Sequence, residues 1–181
     1  MHQDGDAAVD ELVTCCAPRG RSRCRSALRQ LVSGEADVLD LARFGWDGEI
    51  SGRLGWAQLS RLPSSLRELR LRVLILSGAA PPDDAPAQQL PAFVCELRCL
   101  EELHLANCCL TELPSGLSSL TALRVLLLLR NRFEELPAVV GFLSTLRRLD
   151  LSFNQLTLLP PRCAARAAAQ RPRALDRRAL P

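Results

Sequence analysis

Apolar residues recur along this chain with a long, even period. Leu90-Pro91, Leu113-Pro114, Leu136-Pro137 and Leu159-Pro160 fall 23 residues apart, and the residues between them repeat as well. Leu100, Leu103, Leu105, Cys108, Leu110 and Leu113 return as Leu123, Leu126, Leu128, Asn131, Phe133 and Leu136. They return again as Leu146, Leu149, Leu151, Asn154, Leu156 and Leu159. Self-similarity at a fixed period predicts stacked units, because a unit this short buries its apolar face only against its neighbours. Two shorter periods alternate inside each unit. In Leu103-His104-Leu105 the leucines flank an opposite-facing residue, the period of a strand. Pro114, Leu117 and Leu120 are spaced by three, which suits a helical or 3-10 return opened by a proline whose missing N–H is no loss there. The expectation is a curved rod with a parallel sheet on its concave side and short helical returns on its convex side.

The period extends toward the N-terminus with two irregular units. Leu71, Leu74 and Leu76 start one that reaches Leu90-Pro91, Val94 and Leu97 after extra residues, and Pro81 to Pro86 is the predicted surface insertion. Leu39, Leu41, Phe44 and Trp46 read as an earlier strand and turn, completed by Leu62-Pro63, Leu66 and Leu69 after an excursion around Asp47 to Gln58. Ahead of them, Ala27, Leu28, Leu31 and Val32 form the apolar stripe of a capping helix over residues 26–33. Ser22 or Ser26 is its candidate start and Gly34 its left-handed stop. The domain organisation is then a disordered segment 1–25, a repeat domain of about five units over 26–160, and an Ala/Arg-rich tail 161–181. In that tail only Cys163 fits the apolar template, so no regular closing unit is expected there.

Charge is unevenly placed. All 23 basic residues are arginine, and the net charge is +3. Residues 161–181 hold six arginines and one aspartate, whereas residues 1–160 hold 17 arginines and 19 acids. The repeat domain is therefore slightly acidic. Arg19, Arg21, Arg23, Arg25 and Arg29 form a second basic stretch, able to meet nucleic acid, an anionic lipid surface or an import receptor. No aromatic side chains are interleaved with it as single-strand binders use them, so a solvated linker is the simpler reading.

Met1 to Asp10 is acidic and lacks the basic start and apolar run of a signal peptide. The apolar run Val125 to Leu129 is far shorter than the roughly 20 residues of a membrane span. A cytoplasmic or nuclear location with reduced cysteines is expected. Cys95, Cys99, His104 and Cys108 are four zinc-type ligands close in sequence. The repeat sends them to the return, the exposed strand face and the turn, so no metal is expected. No nucleophile elbow, Walker loop or dinucleotide fingerprint appears, so neither an enzyme nor a cofactor is expected.

The motif L-x-x-L-x-L-x-x-[N/C]-x-L-x-x-L-P, with the returns Leu113-Pro114-Ser115-Gly116-Leu117 and Leu136-Pro137-Ala138-Val139-Val140, resembles the leucine-rich repeats of the intracellular Ras-suppressor and Scribble type. Ala27 to Leu41 also looks like the helix and first strand that open such domains. The resemblance implies an α/β leucine-rich-repeat solenoid that serves as a non-catalytic signalling scaffold or adaptor.

Its partner would be another protein, with no small-molecule substrate. The template assigns Val73, Ile75, Glu102, His104, Val125, Leu127, Leu129, Arg148 and Asp150 to the outward, partner-binding side of the strands. Cys108, Asn131 and Asn154 are assigned to the structural turn. The apolar members flank Glu102 and His104, and an exposed apolar field is a common mark of a partner site. The alternative function is nucleic-acid or anionic-surface binding through the two arginine-rich ends.

Overall fold

The computed structural model describes residues 13, 21–43, 70–78 and 90–157. The predicted completion of the first unit (Phe44, Trp46, Leu62 to Leu69), the insertion Pro81 to Pro86 and the tail 161–181 lie outside them.

Five three-residue strands form one parallel sheet in sequence order: β1 Val38–Asp40, β2 Val73–Ile75, β3 Glu102–His104, β4 Val125–Leu127 and β5 Arg148–Asp150. The register is unbroken, with Leu39, Leu74, Leu103, Leu126 and Leu149 aligned across it. The first four of these leucines are fully buried, while their neighbours on each strand turn to the other face. The predicted alternation is thus the one observed. Ladder bonds continue past the strands: Leu105 N–H donates to Leu127 O at 2.8 Å and Asn107 N–H to Leu129 O at 2.9 Å.

Among the described residues, the chain comes back after β2, β3 and β4 through a five-residue 3-10 helix, over Ala92–Glu96, Ser115–Ser119 and Ala138–Phe142. Pro91, Pro114 and Pro137 stand immediately before them, with φ between −56° and −65°. Proline is held near that angle by its ring, and it gives up an N–H that a helix start leaves unpaired. Val94 and Leu117 are the buried residues of the first two returns. In the third the repeat template selects Val140, but Val139 is the buried residue and Val140 is half-buried. Consecutive residues of a 3-10 turn are about 120° apart, so two adjacent valines compete for one inward position.

The helix ahead of β1 is longer than its pattern predicts. It runs Arg21–Val32 (α1), five residues earlier than the expected start, and Ser26 lies exposed inside it instead of capping it. Cys24 explains the extension: it sits one turn before Leu28, and Cys24, Leu28 and Leu31 are buried on a single stripe. Val13 is also buried in the core. Residues 21–25, expected in the disordered segment, thus belong to the helix, and the rest of that segment apart from Val13 lies outside the described residues. Gly34 ends the helix as expected, at φ 77°. Its N–H donates to Leu31 O and the Glu35 N–H to Gln30 O, at 3.1 and 2.9 Å, the paired bonds of a Schellman stop.

Candidate functional site

A turn follows each strand and fixes how the exposed face is presented. Asn131 is buried there, and its side chain is fully bonded. Its Oδ1 accepts from the N–H groups of Cys108 and Leu110 at 3.1 and 3.0 Å, and its Nδ2 donates to Leu105 O and Leu128 O, both at 2.8 Å. Asn154 repeats the arrangement one unit on, accepting from Phe133 N–H at 3.1 Å and donating to Leu128 O and Leu151 O at 2.9 and 2.8 Å. Each asparagine thus ties its own turn to the preceding one. A backbone that bends away from the sheet leaves amides unpaired, and these side chains pair them. Cys108 occupies the same column with its Sγ 3.4 Å from Leu76 O, a weaker link that fits a smaller side chain.

Just before this column the backbone is left-handed at Gly78, Asn107, Arg130 and Phe153, with φ of 82°, 56°, 56° and 58°. Glycine and asparagine adopt that conformation readily, but arginine and phenylalanine are strained in it. The repeat motif does not reveal this column. Gly78 and Asn107 at equivalent positions were the available signal.

The outward strand residues form two rows. In register across the sheet, one row reads Val38, Val73, Glu102, Val125, Arg148 and the other Asp40, Ile75, His104, Leu127, Asp150. Val73, Ile75, Val125, Leu127 and Leu129 are half-buried on this face. Between them His104 Nε2 lies 3.3 Å from Glu102 Oε2. Asp150 turns partly to its own backbone, its Oδ1 accepting from the Ser152 hydroxyl and N–H at 2.6 and 3.0 Å.

A charged ladder that the hydrophobic template could not show runs along the strand-entry edge. Arg72 donates from Nε to Glu101 Oε1 at 2.9 Å and from Nη1 to Asp37 Oδ2 at 3.0 Å; Arg124 lies 3.5 Å from the second Glu101 oxygen. The hydrogen bond from Arg72 holds the Glu101 carboxyl below its ordinary range, and the same bond raises Arg72. Alternation ends at the next unit, where Arg147 follows Arg124.

The four zinc-type residues go to separate places. Cys95 is half-buried on a return, and burial pushes its thiol above the ordinary value. Cys99 is exposed, His104 is on the sheet and Cys108 is in the turn. Among the described residues no three His, Cys, Asp or Glu side chains gather as metal ligands, and no helix is long and apolar enough to cross a membrane. Of the N-terminal basic stretch, Arg21, Arg25 and Arg29 lie at helical spacing on the exposed side of α1.

The Leucine Rich Repeat family profile matches residues 99–120 and 145–165. Among solved structures, a leucine-rich-repeat protein of Leptospira interrogans is 30% identical, over 59% of this chain and 30% of that one, with a TM-score of 0.48. The PEPR1–AtPEP1 complex aligns at 24% identity over 66% of this chain and 15% of that one, TM-score 0.46. The BIR2 ectodomain from Arabidopsis thaliana aligns at 23% identity over 59% and 62%, TM-score 0.40. This chain thus spans 30% and 15% of the first two proteins' chains. No curated protein matches it. With two segments matching the repeat profile, five parallel strands in sequence order, 3-10 returns and an asparagine-bonded turn column, the fold is a leucine-rich-repeat solenoid.

Proposed function

We propose that this solenoid is a non-enzymatic protein-interaction module that holds its partner against the concave face of the sheet. The observation that supports the reading is the half-buried apolar field of Val73, Ile75, Val125, Leu127 and Leu129, set around Glu102 and His104 and bordered by Arg148 and Asp150. An exposed apolar field of this kind is a common mark of a partner site. Leucine-rich repeats are generally a binding fold, and the similarity of the L-P-x-x-[L/V] return to Ras-suppressor and Scribble proteins favours an adaptor or scaffold in cytoplasmic or nuclear signalling.

Leu127→Glu is the direct test. Its side chain points away from the buried leucine column, so circular dichroism and melting should stay near wild type while capture of partners from cell extract is lost. Unchanged capture by a folded Leu127→Glu chain would overturn the concave-face reading. The exposed arginines of α1 support the second reading, binding to nucleic acid or an anionic surface. Salt separates the two, because phosphate binding falls steeply with ionic strength and an apolar interface does not.

A further inference from the structure

We infer that the β4–β5 end of the concave face takes a protein segment carrying carboxylates beside apolar side chains. The inference rests on the concave-face reading above and names the chemistry of the partner. Its first support is charge. Along the β1–β3 part of this face and its entry edge stand Asp37, Asp40, Glu101 and Glu102, with Arg72 bonded to two of them. At β4–β5 the sign reverses. Arg147 and Arg148 are exposed and have no carboxylate partner among the described residues, and Asp150 beside them is turned to Ser152.

The second support is independent of charge. Phe153 is 72% exposed at a left-handed φ of 58°, and the Arg130 guanidinium carbon lies 5.5 Å from its ring centre. An exposed phenylalanine held in a strained left-handed conformation gives folding little in return. Aromatic side chains and arginine are instead the residues enriched at protein interfaces. Arg130 N–H bonds Ser152 O at 2.9 Å, which fixes this pair at the exit rim of the same two strands. Leu127 and Leu129 lie between that rim and the arginines at the strand entry. An apolar side chain seated on the leucines therefore brings flanking carboxylates within reach of guanidinium groups on both sides. Nucleic acid fits less well, because the centre of the patch is aliphatic and offers bases neither stacking planes nor hydrogen-bond donors.

Anisotropy titration of the full chain with a labelled peptide of repeated Gly-Leu-Glu units, against its Gly-Leu-Lys counterpart, tests this. The glutamate peptide should bind and the lysine peptide should not. The double variant Arg147→Glu/Arg148→Glu should weaken the glutamate peptide at least about tenfold and restore the lysine one, with Arg147→Gln/Arg148→Gln intermediate. Phe153→Ala should lose about tenfold as well. Leu127→Glu should abolish binding altogether, and matched melting curves establish that each variant is folded.

No binding of the glutamate peptide, or equal binding of both peptides, overturns the inference. If both bind equally and Leu127→Glu removes both, the concave face still binds but its charge does not select. If the glutamate peptide binds Leu127→Glu as well as wild type, the concave-face reading fails too. Displacement of the peptide by a thymidine oligonucleotide, with a steeper salt dependence, would assign the patch to nucleic acid.

Discussion

β4 and β5 occupy the same position in successive repeats, yet equivalent residues do different work in them. Leu126 of β4 is fully buried between flanking units, whereas Leu149, its register partner on β5, is only half-buried. The turns differ likewise: Asn131 is buried with four close hydrogen bonds, and Asn154 is half-buried with three. The outward residues diverge further, from Val125 and Leu127 on one strand to Arg148 and Asp150 on the next. In a stacked fold a residue's energetic weight is set by the units on either side of it as much as by its own type.

The sharpest way to break that comparison is to truncate the aligned leucines. Leu126→Ala should cost about 2 to 5 kcal/mol, the range for a buried leucine whose cavity cannot collapse. Leu149→Ala should cost clearly less, because fewer atoms leave contact and solvent already reaches the site. Urea midpoints for the two variants decide it; equal losses would mean that β5 is as tightly stacked as β4.

Asparagine truncation is the next largest effect. Asn131→Ala leaves buried N–H and C=O groups of two turns unpaired, a loss of about 1 to 3 kcal/mol. Asn154→Ala should fall at the lower end, since its turn is more accessible to water. A loss of a few tenths for Asn131→Ala would mean that the turn is solvated after all.

Much of this architecture was legible before any coordinates. Leu103, Leu126 and Leu149 align because a period-two strand inside a 23-residue period leaves a single register that buries every leucine. The proline before each return was legible for the same local reason, and so were the outward rows. Other features depend on relations between units that a hydrophobicity pattern does not encode. Cys24 extends α1 because a small side chain completes a stripe whose other members lie on the far side of the expected boundary. Val139 displaces Val140 through competition between equals. The ladder Asp37–Arg72–Glu101–Arg124 joins residues that follow one another only across strands, and the left-handed column is marked in sequence by glycine and asparagine in two units but not in the others.

That column gives a smaller and oppositely signed test. Phe153→Gly removes a strained left-handed side chain and should raise stability by up to about 1 kcal/mol, offset in part by the greater freedom of glycine in the unfolded chain. Gly78→Ala introduces the strain that Phe153 already carries and should cost about 1 kcal/mol, although a Cβ there meets no atom within 4 Å. A neutral Gly78→Ala would show that the backbone relaxes at the irregular unit and not at the regular ones.

The smallest expected effect belongs to the charged edge. Glu101 is held below its ordinary carboxylate range, first by the hydrogen bond from Arg72 and then by the nearby charges of Arg72 and Arg124. A carboxylate with a depressed pKa in the folded chain stabilises that chain above its unfolded value, about 4.3, and loses the contribution as pH falls through the folded value. Wild type should therefore exceed Glu101→Gln slightly at neutral pH, and the two urea midpoints should converge in acid. Both partners of the ladder are solvent-accessible, so added salt should shrink the neutral-pH difference. The raised Arg72 contributes no change across this window, because guanidinium stays charged throughout it. A difference that persists undiminished in acid would mean that Glu101 acts there through its packing and not through its charge.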